Sequence, residues 1–134
     1  MQSMVTYQCG HSERATLYGG HYDDQIARLR QRLCPACYRA ERLAQDEALL
    51  TDMPLPALTG TDKQVAWARQ IRAEVLLVLI AYADNPRYVP EHDTILAATR
   101  RLADAQTTAR WWIDHMSDLP RDLVRPYWDS APTV

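Results

Sequence analysis

The sequence predicts a mainly α-helical protein with a small α+β zinc lobe at its N-terminus. Three observations lead to this fold class: Cys and His residues cluster before residue 38, two prolines interrupt the chain at 54 and 56, and helical apolar periodicity follows residue 61. We therefore expect a zinc-binding lobe over residues 1–50 and an ordered Pro-containing connector over 51–60. A helical hairpin with a C-terminal tail is expected over 61–134.

Composition excludes several classes of protein. The 134 residues are 47% hydrophobic, which is enough to bury a core. The net charge of -2 excludes a simple polycation but leaves room for a local basic patch. The longest apolar run, residues 75–83, is too short to span a bilayer, and no signal-peptide pattern is visible. We expect a cytoplasmic protein, and in that reducing compartment clustered cysteines are more often metal ligands than disulfides.

The metal motif consists of two short segments. Cys9-Gly10-His11 is followed after 22 residues by Cys34-Pro35-Ala36-Cys37. Thiolate and imidazole are the ligands that structural zinc prefers, and four of them close a tetrahedral site. We predict one structural Zn²⁺ ion held by Cys9, His11, Cys34 and Cys37. Two alternatives remain open: His21 in place of His11, and a redox-active Cys34–Cys37 pair.

The segments around the ligands indicate a ββα-type unit. Residues 5–8 and 14–18 are strand-like, with the Cys-Gly-His segment between them. Asp23 or Asp24 can cap a helix that extends to Leu33, and a further helix is expected from about residue 36 to 50. The Cys9-Gly10-His11 segment lies in the predicted hairpin, and Cys34 and Cys37 lie at the start of a predicted helix. This arrangement predicts a treble-clef-like zinc module.

The same region contains the main basic cluster. Residues 28–42 include five arginines and one acidic residue, Glu41, for a local charge of +4; the arginines are Arg28, Arg30, Arg32, Arg39 and Arg42. Such a cluster can bind phosphates. The alternative is a solvated helix face whose arginines pair with nearby carboxylates, namely Asp23, Asp24, Asp46 and Glu47.

Two long helices are predicted after the connector. Thr61 and Gln64 form a capping-box pattern, and the helix that follows is apolar nearly all round from Val75 until Asn85-Pro86 ends it. A second helix is expected from Pro90 to Met116, with a heptad-like seam at Ile95, Ala98, Leu102, Ala105, Ala109, Trp112 and Met116. The seam favours an intramolecular core, and hence a monomer, over a dimer interface. From Ser117 onward we expect a proline-punctuated tail.

A longer pattern accompanies the metal motif. Leu55-Pro56-x-Leu58-x-Gly60-x-x-Lys63-Gln64-x-x-Trp67-Ala68-x-x-Ile71-Arg72 is followed later by Trp111-Trp112-Ile113-Asp114. With the two zinc segments, this pattern resembles a family of small bacterial and phage- or plasmid-borne zinc-binding proteins. Relatives often continue the tryptophan motif with Asn-Arg, where this chain has His115-Met116. The resemblance implies a protein of a mobile element.

The polar members of this pattern suggest an interaction patch. Its candidate residues are Lys63, Gln64, Arg72, Trp111 and Asp114, together with Tyr127 and Trp128 of the tail. The alternative is structural, with Lys63 or Arg72 bonded to Asp114 to lock the hairpin.

No catalytic set is visible in the sequence, so a non-enzyme is expected. The first hypothesis is a zinc-stabilised protein-interaction module that binds a host protein. Its more specific form, an inhibitor of a bacterial defence system such as an anti-CRISPR protein, follows from the resemblance. The second hypothesis is a nucleic-acid-binding zinc protein that uses the arginines between Arg28 and Arg42. A zinc-dependent hydrolase is the least favoured because four protein ligands leave no open position on the metal.

Overall fold

The computed structural model describes residues 1–128, which are mainly helical with one small two-stranded antiparallel sheet. This agrees with the predicted fold class. The chain divides into two compact units, Met1–Ala44 and Gln45–Val134, and the division falls inside a helix. The last part of the predicted tail, residues 129–134, lies outside the described residues.

The first unit is built on a hairpin and a short helix. Strand β1, Gln2–Thr6, pairs with β2, Ser12–Thr16, and helix α1, Tyr22–Leu29, follows. Helix α2, Pro35–Ala48, begins in this unit. Both strands begin and end earlier than predicted because residues 7–11 form the turn between them. Helix α1 ends at Leu29 rather than at Leu33, and hydrogen-bonded turns at residues 31 and 32 lead the chain to Cys34.

The second unit begins with the expected helix. Helix α3, Asp62–Ala83, starts with the predicted capping box: the Thr61 side chain accepts from the Gln64 backbone, and the Gln64 side chain accepts from the Thr61 backbone. Its C-terminal half is only partly buried, although it is apolar nearly all round: Val75, Leu76, Leu79 and Ala83 lie in the core, whereas Val78 and Ala81 are exposed.

The prediction of one continuous helix over residues 90–116 was wrong. A 3₁₀ segment, Pro86–Glu91, precedes helix α4, His92–Ala105, and a separate helix α5 spans Ala109–Asp114. Residues 106–108 leave the helix because the backbone of Thr59 pairs there: it donates to the Thr107 carbonyl and accepts from the Ala109 amide, at 2.9 Å each. The Thr108 side chain then caps α5 by accepting from the Trp111 amide.

The seam residues keep most of their predicted burial despite the break. Helix α3 packs against both α4 and α5. The buried members of the seam are Ile95, Ala98, Leu102, Ala109 and Trp112, whereas Ala105 beside the break and Met116 beyond α5 are exposed.

The predicted proline-punctuated tail contains a helix. Helix α6 spans Pro120–Trp128, with Pro120 at its first position, where a missing amide hydrogen costs no hydrogen bond. Leu123 and Val124 are buried, and α6 packs against α4 and α3. Among residues 1–128, none of the helices has the length and apolar character required to cross a bilayer.

Candidate functional site

The four predicted ligands come together in the first unit and are positioned to bind a metal ion. One ligand atom from each of Cys9, His11, Cys34 and Cys37 lies within 4.8 Å of the others. Nδ1 of His11 is 3.3 Å from the Cys9 sulfur, 3.6 Å from the Cys34 sulfur and 3.3 Å from the Cys37 sulfur. Cys34 is fully buried, whereas His11 is exposed. Four donor atoms therefore surround one point at the edge of the unit.

Local backbone geometry fixes each pair of ligands. In the turn between β1 and β2, the Tyr7 amide donates to the His11 carbonyl, and Gly10 adopts a φ of 89°, which favours glycine. The Gln8 amide donates to the Arg32 carbonyl at 2.8 Å, which ties this turn to the segment before Cys34. The second pair lies at the start of α2, whose first residue is Pro35.

The pKa values of two of the three thiols, Cys9 and Cys37, are shifted in opposite directions. Backbone amide hydrogen bonds, first from Cys34 and then from His11, lower the pKa of Cys9 to about 6. Hydrogen bonding to the Cys34 side chain and burial raise the pKa of Cys37 to about 11, because neighbouring sulfurs oppose a second negative charge. A divalent cation would supply the positive charge that lets all three thiols ionise together.

His21 does not belong to this cluster, so the alternative fourth ligand is wrong. It precedes α1 with a left-handed φ of 54°, and its carbonyl accepts from the Gln25 amide. The metal-ligand group formed within residues 1–128 contains His11 instead.

The five arginines of the basic cluster are all exposed. Within the described residues, the carboxylates of Asp23, Asp24 and Glu47 form no ion pair with them; Glu47 pairs instead with Arg69 and Arg72. The pairing interpretation was therefore wrong for these three carboxylates. Arg32 also lines a groove of about 650 Å³ with Tyr7, Leu29, Leu33, Pro35 and Tyr38. The Tyr38 side chain is 57% exposed.

The predicted interaction patch is mostly occupied by structural contacts. Gln64 belongs to the capping box, and Asp114 pairs with Arg110 at 3.5 Å. The Tyr127 hydroxyl accepts a 2.8 Å hydrogen bond from Gln106. Lys63 is exposed and forms no hydrogen bond or ion pair with another described residue.

The two tryptophans of the patch are half-buried. Trp111 packs edge-on against Trp112, with ring centroids 5.0 Å apart, and its ring is tilted by 35° to the His115 ring at 4.5 Å. Trp128 lines a cavity of about 330 Å³ with Tyr82, Arg121 and Arg125.

Arg72 lies in the core rather than on a surface, with 3% of its area exposed. Its Nη1 donates to the Pro56 carbonyl at 2.7 Å, and its Nη2 lies 3.7 Å from Oε2 of Glu47. The proposed bond from Lys63 or Arg72 to Asp114 is therefore wrong. Sequence reasoning missed Glu47 and Arg69 as partners, because Glu47 precedes the connector and no spacing rule relates it to α3.

Comparison with known proteins gives no further identification: no family model, no curated protein and no solved structure matches this chain.

Proposed function

We propose that this chain is a zinc-stabilised binding protein whose first unit binds single-stranded nucleic acid. The metal part of the proposal rests on the distances around His11. In a tetrahedral site with zinc–sulfur bonds of about 2.3 Å and zinc–nitrogen bonds of about 2.0 Å, adjacent sulfur and nitrogen ligands lie about 3.5 Å apart. The three sulfur–nitrogen distances of 3.3, 3.6 and 3.3 Å fit that geometry.

A Cys₃His set would hold Zn²⁺ through four protein ligands, so the ion would have a structural role. A knuckle in a hairpin turn together with two ligands at the start of α2 supports a treble-clef-like module. Helix α1 is an addition between these two parts.

The observation that carries the nucleic-acid proposal is a set of exposed arginines in the unit that also contains the Tyr38 groove, which Arg32 lines. Arg28, Arg30, Arg32 and Arg39 have no carboxylate partner within residues 1–128, so their charge is available to phosphates. An exposed tyrosine ring in an apolar groove gives bases a surface on which to stack. Arginine charge combined with an exposed aromatic ring is typical of single-strand binding, in which basic side chains hold the backbone and aromatic rings stack on the bases.

The test is fluorescence anisotropy of a labelled single-stranded oligonucleotide over a range of salt concentrations. We expect affinity to fall steeply with salt, and the R32Q/R39Q double variant to lower the slope of log K against log salt by about 1.4. Tyr38→Ala should weaken binding by about 1–3 kcal/mol at every salt concentration. Arg110→Gln, which removes an exposed arginine from the second unit, is the matched control.

Two results would contradict this proposal. One is the absence of binding at low salt by zinc-loaded protein. The other is an equal loss of affinity in the Arg110→Gln control, because that would indicate non-specific attraction to any positive charge.

A protein partner is the second candidate, and a different observation favours it. The second unit exposes large apolar side chains, with Trp67 47% and Val78 51% accessible on α3, and with Met116 and Leu119 also exposed. The resemblance to phage- and plasmid-borne proteins favours a host partner, including a component of a defence system. A pull-down from bacterial lysate that Trp67→Ser and Val78→Ser both abolish would favour this candidate over nucleic acid.

A further inference from the structure

A cavity of about 430 Å³ in the second unit is lined by both apolar and charged side chains. Leu55, Ala57, Leu58 and Val65 provide its apolar side, and Glu47, Arg69 and Arg72 provide its charged side. This volume is within the range of small-ligand sites, which are mostly apolar with a few polar groups that orient the ligand.

The charges on this cavity do not balance. Glu47 is the one carboxylate among the residues that line the cavity, and it lies close to two guanidinium groups, those of Arg69 and Arg72. It is hydrogen bonded to both Nη2 and Nε of Arg69, the latter at 3.4 Å. Its other contact, 3.7 Å to Nη2 of Arg72, is too long for a hydrogen bond. The cavity therefore carries an excess charge of about +1 beside a buried arginine.

One edge of the Arg72 guanidinium is left without an acceptor. Nη1 is satisfied by the Pro56 carbonyl, but no acceptor in the described residues pairs with the buried Nε. The Nε and Nη2 edge of arginine is the geometry that binds a carboxylate through two parallel hydrogen bonds. Burial, and secondarily the charge of Arg69, lower the pKa of Arg72, while Glu47 opposes them. A buried donor of this kind ordinarily has a partner.

We propose that this cavity binds a carboxylate carried on a short aliphatic group. The carboxylate would complete the Nε and Nη2 edge of Arg72 with help from Arg69, and the aliphatic group would contact Leu55, Leu58 and Val65. Two sources share this chemistry: a free aliphatic acid, and the C-terminal residue of a peptide that ends in leucine. This inference is independent of nucleic-acid binding by the first unit.

The experiment titrates the zinc-loaded full chain with hexanoate and, separately, with an acetylated peptide that ends in leucine with a free carboxylate. Hexan-1-ol and the C-terminally amidated peptide are the controls. The readout is the NMR signal of the Arg72 Nε–Hε group. We expect a saturable shift with at least one carboxylate probe and none with the controls. A shift with hexanoate alone identifies the free acid, and a shift with the peptide alone identifies a chain terminus.

Two variants separate binding from a structural role. Arg69→Gln, at a side chain 45% exposed, should weaken binding about tenfold, the loss of one charge-assisted hydrogen bond. Glu47→Gln should tighten binding several-fold because it removes the competing carboxylate. Arg110→Gln carries the same charge change outside the cavity and should leave affinity unchanged. The proposal is overturned if neither carboxylate shifts the Arg72 signal, or if Arg110→Gln weakens binding as much as Arg69→Gln.

Discussion

Arg72 donates a 2.7 Å hydrogen bond from Nη1 to the carbonyl oxygen of Pro56, which joins the buried face of α3 to the connector before it. This contact connects the Leu-Pro segment at one end of the motif to the Ile-Arg segment at its other end. Ala68 and Ile71 between them are buried, whereas Trp67 is 47% exposed. Most of the motif thus maintains the fold of the second unit.

Replacing Arg72 by Met should destabilise the second unit by about 2 kcal/mol or more. The Pro56 carbonyl loses its donor inside the protein, and Glu47 loses one of its two cations. Urea unfolding followed by tryptophan fluorescence measures this unit, because all four tryptophans belong to it. Arg69→Gln is the control and should cost less than about 1 kcal/mol, since that side chain is partly solvated. Equal losses in the two variants would contradict a special role for the Pro56 contact.

Gly60→Ala should destabilise the same unit by about 1–3 kcal/mol. Gly60 has a φ of 146°, and an added Cβ would lie 3.1 Å from both the Ala109 Cβ and the Gln64 Oε1. The substitution therefore combines backbone strain with crowding at the start of α5. Gly19→Ala, in the first unit, is also at a positive φ, of 74°, but its Cβ would meet no atom within 4 Å, so its loss contains a backbone cost without crowding. A smaller loss for Gly60→Ala than for Gly19→Ala would contradict the crowding argument.

Replacing Cys34 by Ser should abolish stoichiometric zinc and unfold the first unit. Cys34 is buried with Val5 and Tyr7, so the metal site and the core of this unit share a residue. Metal analysis by mass spectrometry and amide dispersion in NMR spectra measure the two effects. His21→Ala is the control and should retain one zinc per chain. Zinc affinity should also fall as pH is lowered, because protons compete for the thiolates. A metal-free chain with a fully dispersed spectrum would refute this prediction.

His92 should give the second unit a pH-dependent stability. Hydrogen bonds to Asp93 and Asp84, of 3.1 and 2.9 Å, raise the pKa of His92 above its ordinary value of 6.5. A raised pKa in the folded state means that this stabilisation is complete below about pH 6.5 and is lost as pH rises through the folded pKa. Urea unfolding from pH 5.5 to 8, monitored by tryptophan fluorescence, should show this loss in the parent chain. His92→Gln should remove that component, and an unchanged pH profile in the variant would contradict it.

The sequence by itself predicted helix α3 and the four residues positioned to bind a metal ion, because each helix cap and each pair of Cys/His residues is a local pattern. A possible metal-ligand set is recognised by its residue types and their spacing, and the Thr61 capping box involves residues three apart. Only the tertiary structure decided the break at residues 106–108, where Thr59 takes backbone hydrogen bonds that a continuous helix would have kept. It also decided that Arg72 faces Pro56 and Glu47 rather than Asp114. Contacts between residues distant in sequence produce no periodic pattern of apolar residues. A prediction from periodicity alone therefore continued the helix through Thr108 and placed Arg72 on the surface.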